Sequence, residues 1–170
     1  MNTPTIPERL DIKALCRAGE HFSGEIALAG MTRLCDEFGA QAGSANFDLQ
    51  FHRDDNGVES ASGQLRASVQ ATCNRCLDDC LVDVESTIQV CFIRDEAEAT
   101  PEGSAAEPML VGSTGIVLVQ WMEDELLLAL PLAPAHGQGQ CAKALVQSDS
   151  QAQGGPFQAL ADLKEKLRNE

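Results

Sequence analysis

Between residues 44 and 92 apolar and polar residues alternate almost without a break, and that period of two constrains the fold more than any other feature of the chain. Phe47, Leu49 and Phe51 fall on one side of the first run and Asp48, Gln50 and His52 on the other, as in a half-buried strand. Asp54, Asp55, Asn56 and Gly57 supply a turn, with Asn56-Gly57 suited to positive φ. The chain then returns through Gly63, Leu65, Ala67, Val69, Ala71 and Cys73 at the same period. A third run carries Val82, Val84, Ser86, Ile88, Val90 and Phe92. Successive runs joined by short turns predict the hairpins of an antiparallel sheet.

Helical spacing is confined to the flanks of this block. FSGEIAL, residues 22–28, reads as a short strand, and GMTRLCDEFGA after it as a helix with Leu34, Cys35 and Phe38 on one side and Gly39 as its stop. IVLVQWMEDELLLAL reads as a buried helix ended by Pro131. Residues 95–108 are acidic and poor in large apolar groups, which predicts a mobile loop. Residues 137–155 are rich in Gln, Gly, Ser and Ala and predict disorder beyond Cys141, before PFQALADLKEKL returns Phe157, Leu160, Leu163 and Leu167 at helical spacing. The fold class is α+β: an antiparallel sheet with hairpins and a few packed helices. One domain over residues 1–136 is followed by a flexible tail, 137–170, with a short terminal helix.

Composition agrees with one core, since 44% of the 170 residues are hydrophobic. The first residues carry no apolar stretch of a secretion signal, and the longest apolar run, residues 126–135, is short and broken by prolines. Seven cysteines, an odd number without an export signal, point to reduced thiols and a cytoplasmic location. Twelve Lys and Arg against 26 Asp and Glu leave a net charge of −14, a field that repels a phosphate backbone. That acidity serves solubility or attracts a basic partner. Cations available for RNA are scattered: Arg53, Arg66, Arg75 and the terminal Lys164, Lys166 and Arg168.

The stretch ATCNRCLDDC, residues 71–80, sets Cys73 and Cys76 in a CxxC loop between two strands. His136 and Cys141 form a second pair, HxxxxC, after the proline-rich end of the long helix. Three sulfurs and one imidazole are the tetrahedral set that zinc favours, so a zinc-knuckle-like loop site is expected, with four protein ligands and no open position for water. Cys80 is an alternative to Cys141 in that set, whereas Cys16, Cys35 and Cys91 read as small buried hydrophobes. A different reading makes Cys73 and Cys76 the dithiol of a thiol-disulfide oxidoreductase. Such a pair belongs at a helix start, where the dipole lowers one thiol pKa; here the flanks are strands rich in Asp, which raise it. Glu123, Asp124 and Glu125 occur with no phosphate loop, nucleophile elbow or paired histidine, so neither an enzyme nor a small-molecule substrate is expected.

CNRCL, followed downstream by WMEDELLLALPLAPAHGQGQC and PFQALADLK, resembles the YceD family, the large ribosomal RNA subunit accumulation proteins of bacteria and plastids. The likeness covers roughly residues 20–167, with its motifs in three places. It implies a nonenzymatic role in producing or stabilising large-subunit ribosomal RNA. It also implies that Cys73, Cys76, His136 and Cys141 occupy motif positions, with Cys80 and Cys91 as extras. A basic ribosomal protein or a large-subunit precursor is the expected partner, met by Asp78, Asp79, Asp83 and Glu85 beside the loop and by Glu123, Asp124 and Glu125 on the helix. Arg75 is the best single cation for RNA; its structural alternative is a salt bridge to Asp78 or Asp79.

Overall fold

The computed structural model describes residues 7–95, 106–112, 115–137 and 140–141. In chain order the elements are β1 (Arg9–Leu10), α1 (Ile12–Ala18), β2 (His21–Ala27), a 3-10 turn (Leu28–Gly30), α2 (Thr32–Phe38), β3 (Ser44–Arg53), β4 (Glu59–Thr72), β5 (Asp79–Ile93), β6 (Glu107–Leu110), β7 (Ile116–Val117) and α3 (Leu118–Ala129). Strands β2 to β6 form one sheet in sequence order, and β1 pairs with β7 in a two-stranded ribbon.

The alternation translates directly into two faces. Ala45, Phe47, Leu49 and Phe51 of β3, Leu65, Val69 and Ala71 of β4, and Val84, Ile88 and Val90 of β5 are buried, while Asp48, Gln64, Arg66, Ser68, Asp83 and Glu85 are exposed. Each large apolar side chain so buried contributes about 1.5–3 kcal/mol. The helices complete the core with Ile12 and Cys16 of α1, Leu34 of α2, and Leu118, Trp121, Met122 and Leu126 of α3. Phe92 carries α3 on the sheet: its ring stacks on Phe51 at 6.2 Å and meets Trp121 edge-on at 6.0 Å.

The structure departs from the sequence reading at the flanks. Helix α1 carries too few apolar repeats to announce itself, although its caps are regular: the Asp11 side chain accepts from Ala14 N at 3.1 Å, and Gly19 closes it in the left-handed conformation. The stretch read as one long helix begins as strand, because Ile116 and Val117 pair with Leu10 and Arg9 before the helix starts at Leu118. Residues 107 and 108, read as loop, open β6, which lies parallel to β5 on an otherwise antiparallel sheet. In the β3–β4 turn only Gly57 takes positive φ; Asp54 holds the turn, its side chain accepting from Val58 N at 2.7 Å. Residues 96–105, the segment beyond Cys141 and the terminal PFQALADLKEKL lie outside the described residues.

At Gly63 the backbone of β3 leaves no room for a side chain: a Cβ there would lie 2.0 Å from the Asp48 carbonyl oxygen. Relief requires moving a backbone paired on both sides. Gly63→Ala should therefore destabilise the fold by about 1–3 kcal/mol, as overpacking does, read as a lower urea midpoint at unchanged slope.

Candidate metal centre

The β4–β5 pairing runs from Ser60↔Cys91 down to Thr72↔Asp79, whereas β3 leaves β4 at Arg66. The lower half of this ribbon projects past the rest of the sheet, and a two-stranded ribbon by itself is marginal in water. Gln41 supplies part of what β3 no longer does. Its side-chain amide donates to the Gln70 carbonyl at 3.0 Å and its oxygen accepts from Gln70 N at 2.9 Å, imitating one rung of a strand.

The tip is a knuckle. Cys73 N donates to Asp78 O at 2.9 Å, Leu77 N to Cys73 O at 2.9 Å, and Arg75 N reaches the Cys73 sulfur at 3.5 Å. Leu77 adopts φ +62°, the left-handed conformation that costs a residue with a Cβ about 1–2 kcal/mol. Cys73 continues the buried face of β4 through Leu65, Ala67, Val69 and Ala71, and Cys76 precedes the twist; Cys73 is 0% exposed and Cys76 8%.

The second pair is delivered by the chain leaving α3. Asn74 N donates to Pro134 O at 2.8 Å, and the Arg75 guanidinium donates to the carbonyls of His136 and Gly137, so the proline-rich segment is stitched along the knuckle. Cys73, Cys76, His136 and Cys141 then present ligand atoms that all lie within 4.8 Å of one another. Cys73 Sγ is 3.9 Å from Cys141 Sγ; His136 Nδ1 is 3.4 Å from Cys76 Sγ and 3.9 Å from Cys141 Sγ. Zinc–sulfur bonds of about 2.3 Å in a tetrahedron put sulfurs about 3.8 Å apart, so this donor set fits such an ion. The imidazole is aimed by its other nitrogen: Nε2 lies 3.0 Å from the Asp79 carbonyl, and donation there leaves the Nδ1 lone pair facing the sulfurs. This group can hold a metal ion with four protein ligands.

The family model described as large ribosomal RNA subunit accumulation protein YceD matches residues 61–164, a span that opens within β4 and contains all four ligand positions. The chain belongs to the YceD family. It is 29% identical over 158 residues to the large ribosomal RNA subunit accumulation protein YceD of Haemophilus influenzae, covering 85% of this chain and 88% of that protein. No solved structure matches the chain.

The thiols of this YceD chain differ in their chemistry. Burial pushes Cys73 up, but backbone N–H groups of Cys76, His136 and Arg75 donate to its sulfur and bring it down to about 5. This runs against the expectation that nearby carboxylates would hold the thiolate back. Cys141 moves to about 11, through burial and then through its hydrogen bonds with the sulfurs of Cys76 and Cys73. Cys80, the alternative ligand, packs with Cys73 and Cys76 in a small cluster of its own and is raised by burial and by their charge. Cys16 is buried and raised to about 11, an inert position, and Cys91 is buried while Cys35 is half-buried.

The acidic residues read as partner-facing divide. Glu123 is 4% exposed and works inside the fold. The first turn of α2 has Met31 at its cap position, with no side chain to accept an orphan N–H, and Glu123 reaches across from α3 to take Leu34 N at 3.1 Å and Arg33 Nε at 3.0 Å. Asp124 is exposed and accepts from the same guanidinium. Glu125 binds Trp121 Nε1 at 3.2 Å and the Ser86 hydroxyl at 3.4 Å, and burial raises its pKa. Asp79 is exposed and accepts from Gln70 Nε2 at 3.3 Å; Arg75, expected to pair with Asp78 or Asp79, donates to carbonyls. Nothing in the sequence near Met31 or Arg33 signals that α3 will cap α2.

Two outcomes follow. Because the ligands must shed protons, metal affinity should rise with pH and fall on acidification as thiolates are protonated, and loading at pH 7 should release the Cys141 proton. Titration calorimetry in buffers of different ionisation enthalpy reads that release. Glu123→Ala should cost about 1–2 kcal/mol, the size of a lost helix cap, with metal content unchanged; denaturant unfolding beside metal analysis checks it.

Proposed function

We propose that the ion is zinc, that its role is structural, and that the acidic surface beside it holds a basic ribosomal protein or large-subunit precursor so that the ribosomal RNA accumulates. Family membership places the chain among proteins named for large-subunit ribosomal RNA accumulation rather than for an enzymatic activity. The observation that carries the metal reading is the set of four side-chain ligands, which fills a tetrahedron and leaves no coordination position for water or substrate. A ribbon tip with little apolar burial of its own then gains its rigidity from the metal. In this reading residues 1–136 form one domain, and the tail from residue 137 is tied to it through Cys141.

Charge favours a protein partner. Asp79, Asp83, Glu85 and Asp124 are exposed, so they, rather than Glu123 and Glu125, make the proposed contact. Two of the cations named for RNA are engaged: Arg66 pairs with Glu85 at 2.7 Å and Arg75 is spent on the carbonyls of residues 136 and 137, while Lys164, Lys166 and Arg168 lie outside the described residues. The dithiol alternative loses ground to burial, because Cys73 has a depressed pKa but no access to a substrate disulfide. Among the described residues no helix is long and apolar enough to cross a membrane, which suits the proposed cytoplasmic role.

Zinc at about one ion per chain is expected in reduced protein purified without chelator, and Cys73→Ser or His136→Ala should lose it. Full occupancy in Cys141→Ser would transfer the fourth position to Cys80. For the partner, Asp79→Lys with Asp83→Lys should weaken capture of basic ribosomal proteins from lysate about tenfold while zinc content is kept, with salt having a similar effect through a screening length of about 8 Å. Release of every ribosomal partner by nuclease, with rebinding to purified RNA alone, would overturn the protein-contact reading.

A further inference from the structure

The β4–β5 register determines which backbone groups of β5 face outward. Cys73 and Asp78 form a hydrogen-bonded pair, and in an antiparallel ladder such pairs alternate with pairs whose N–H and C=O groups point away from the partner strand. The even-numbered residues of β5 therefore bond to β4, and Leu81, Asp83, Glu85 and Thr87 turn theirs toward the opposite edge. Two contacts bear this phase out: His136 meets the Asp79 carbonyl there, and Val111 N bonds to the Ile93 carbonyl at 2.8 Å.

That edge is bounded at both ends. His136 closes it at Asp79, and β6 takes it up only from Val90. Between them, among the described residues, no hydrogen bond reaches the backbone of Leu81, Asp83, Glu85 or Thr87. The open row is about 20 Å long, enough for a strand of about seven residues in line with β6. Unpaired edges usually carry charges that forbid pairing, and Asp83 and Glu85 would indeed oppose a second copy of this chain by setting carboxylates against carboxylates. The same residues favour a basic strand, through the oxygens not already taken: Arg66 uses Oε1 of Glu85 and Ser68 uses Oδ1 of Asp83. Two apolar side chains that do not guard an edge flank this one: Leu81 is 72% exposed, and Leu128 is 82% exposed, one helical turn from the Glu125 that binds Ser86 of β5.

We propose that the outer edge of β5 over residues 81–87 receives an extended segment of a basic protein, added to the sheet as a strand. Its cationic side chains lie beside Asp83 and Glu85, and its alternate apolar ones face Val82 and Leu128. This rests on the basic-protein reading above and specifies how that partner is held. Backbone pairing supplies affinity, and alternation of basic and apolar residues supplies selectivity.

The probe is a fluorescein-labelled peptide of about nine residues alternating Lys and Val, beside the same peptide N-methylated throughout, against the zinc-loaded full chain. The first should bind at low salt and slow amide exchange at Leu81, Asp83, Glu85 and Thr87 by about tenfold or more; the second should bind about tenfold more weakly or worse. Thr87→Pro, which removes one outward N–H, no rung to β4 and no charge, should weaken the unmethylated peptide with zinc content kept. Equal binding of both peptides without amide protection overturns strand addition and leaves the basic-partner reading standing. Protection of those four amides in the free chain overturns it in favour of a segment of the chain itself. Failure of both the peptide and the ribosomal proteins to bind overturns both readings together.

Discussion

The pairing of β4 with β5 is the interaction on which the remaining structure depends. Its upper half is the centre of the sheet, where Leu65, Ile88 and Val90 face the helices. Its lower half carries the knuckle beyond the reach of β3, and among the described residues its far edge is open between His136 and β6. One continuous register thus positions the core, the ligand cysteines and a row of unpaired backbone groups. A shift of one residue would exchange the buried and exposed faces of the whole ribbon and turn Cys73 outward.

The tip is stabilised differently from the body. Among the described residues, Ala71, Cys73, Cys76 and Cys80 form its buried cluster, joined to the main core through Phe38 and Val82. That is too little apolar surface to hold two strands and an incoming segment from α3, so hydrogen bonds from Gln41, Asn74 and Arg75 join them, around four side chains that can hold a metal ion. Leu77 in the left-handed conformation shows that the geometry of the sulfurs is kept at some local cost.

Charge is used in two distinct ways in a chain with a net charge of −14. Glu123 and Glu125 are consumed by the fold, capping α2 and fastening α3 to Trp121 and Ser86. Asp79, Asp83 and Glu85 line the outer face of the ribbon. An anionic exterior of this kind raises encounter rates with cationic molecules and opposes the approach of a like-charged surface.

The strands were legible in the chain because a half-buried strand writes its burial as a period of two, so Phe47, Leu65 and Val84 announce their face locally. The ligand set was legible for a similar reason: CxxC and HxxxxC pair donors over short spacings whose chemistry is limited to a few ions. The parallel strand β6, the two residues of β7 ahead of α3 and the helix α1 were not legible, because each is too short to carry a period and is held by partners distant in sequence. The three acids of α3 show the same limit most clearly. Their sequence determined that they fan around the helix; only the tertiary structure decided that Glu123 would be buried against Leu34 and Arg33 while Asp124 stayed in water. An uncapped helix start is a demand that any carboxylate brought close enough can meet, and proximity between residues 34 and 123 is a property of the fold, not of the local sequence.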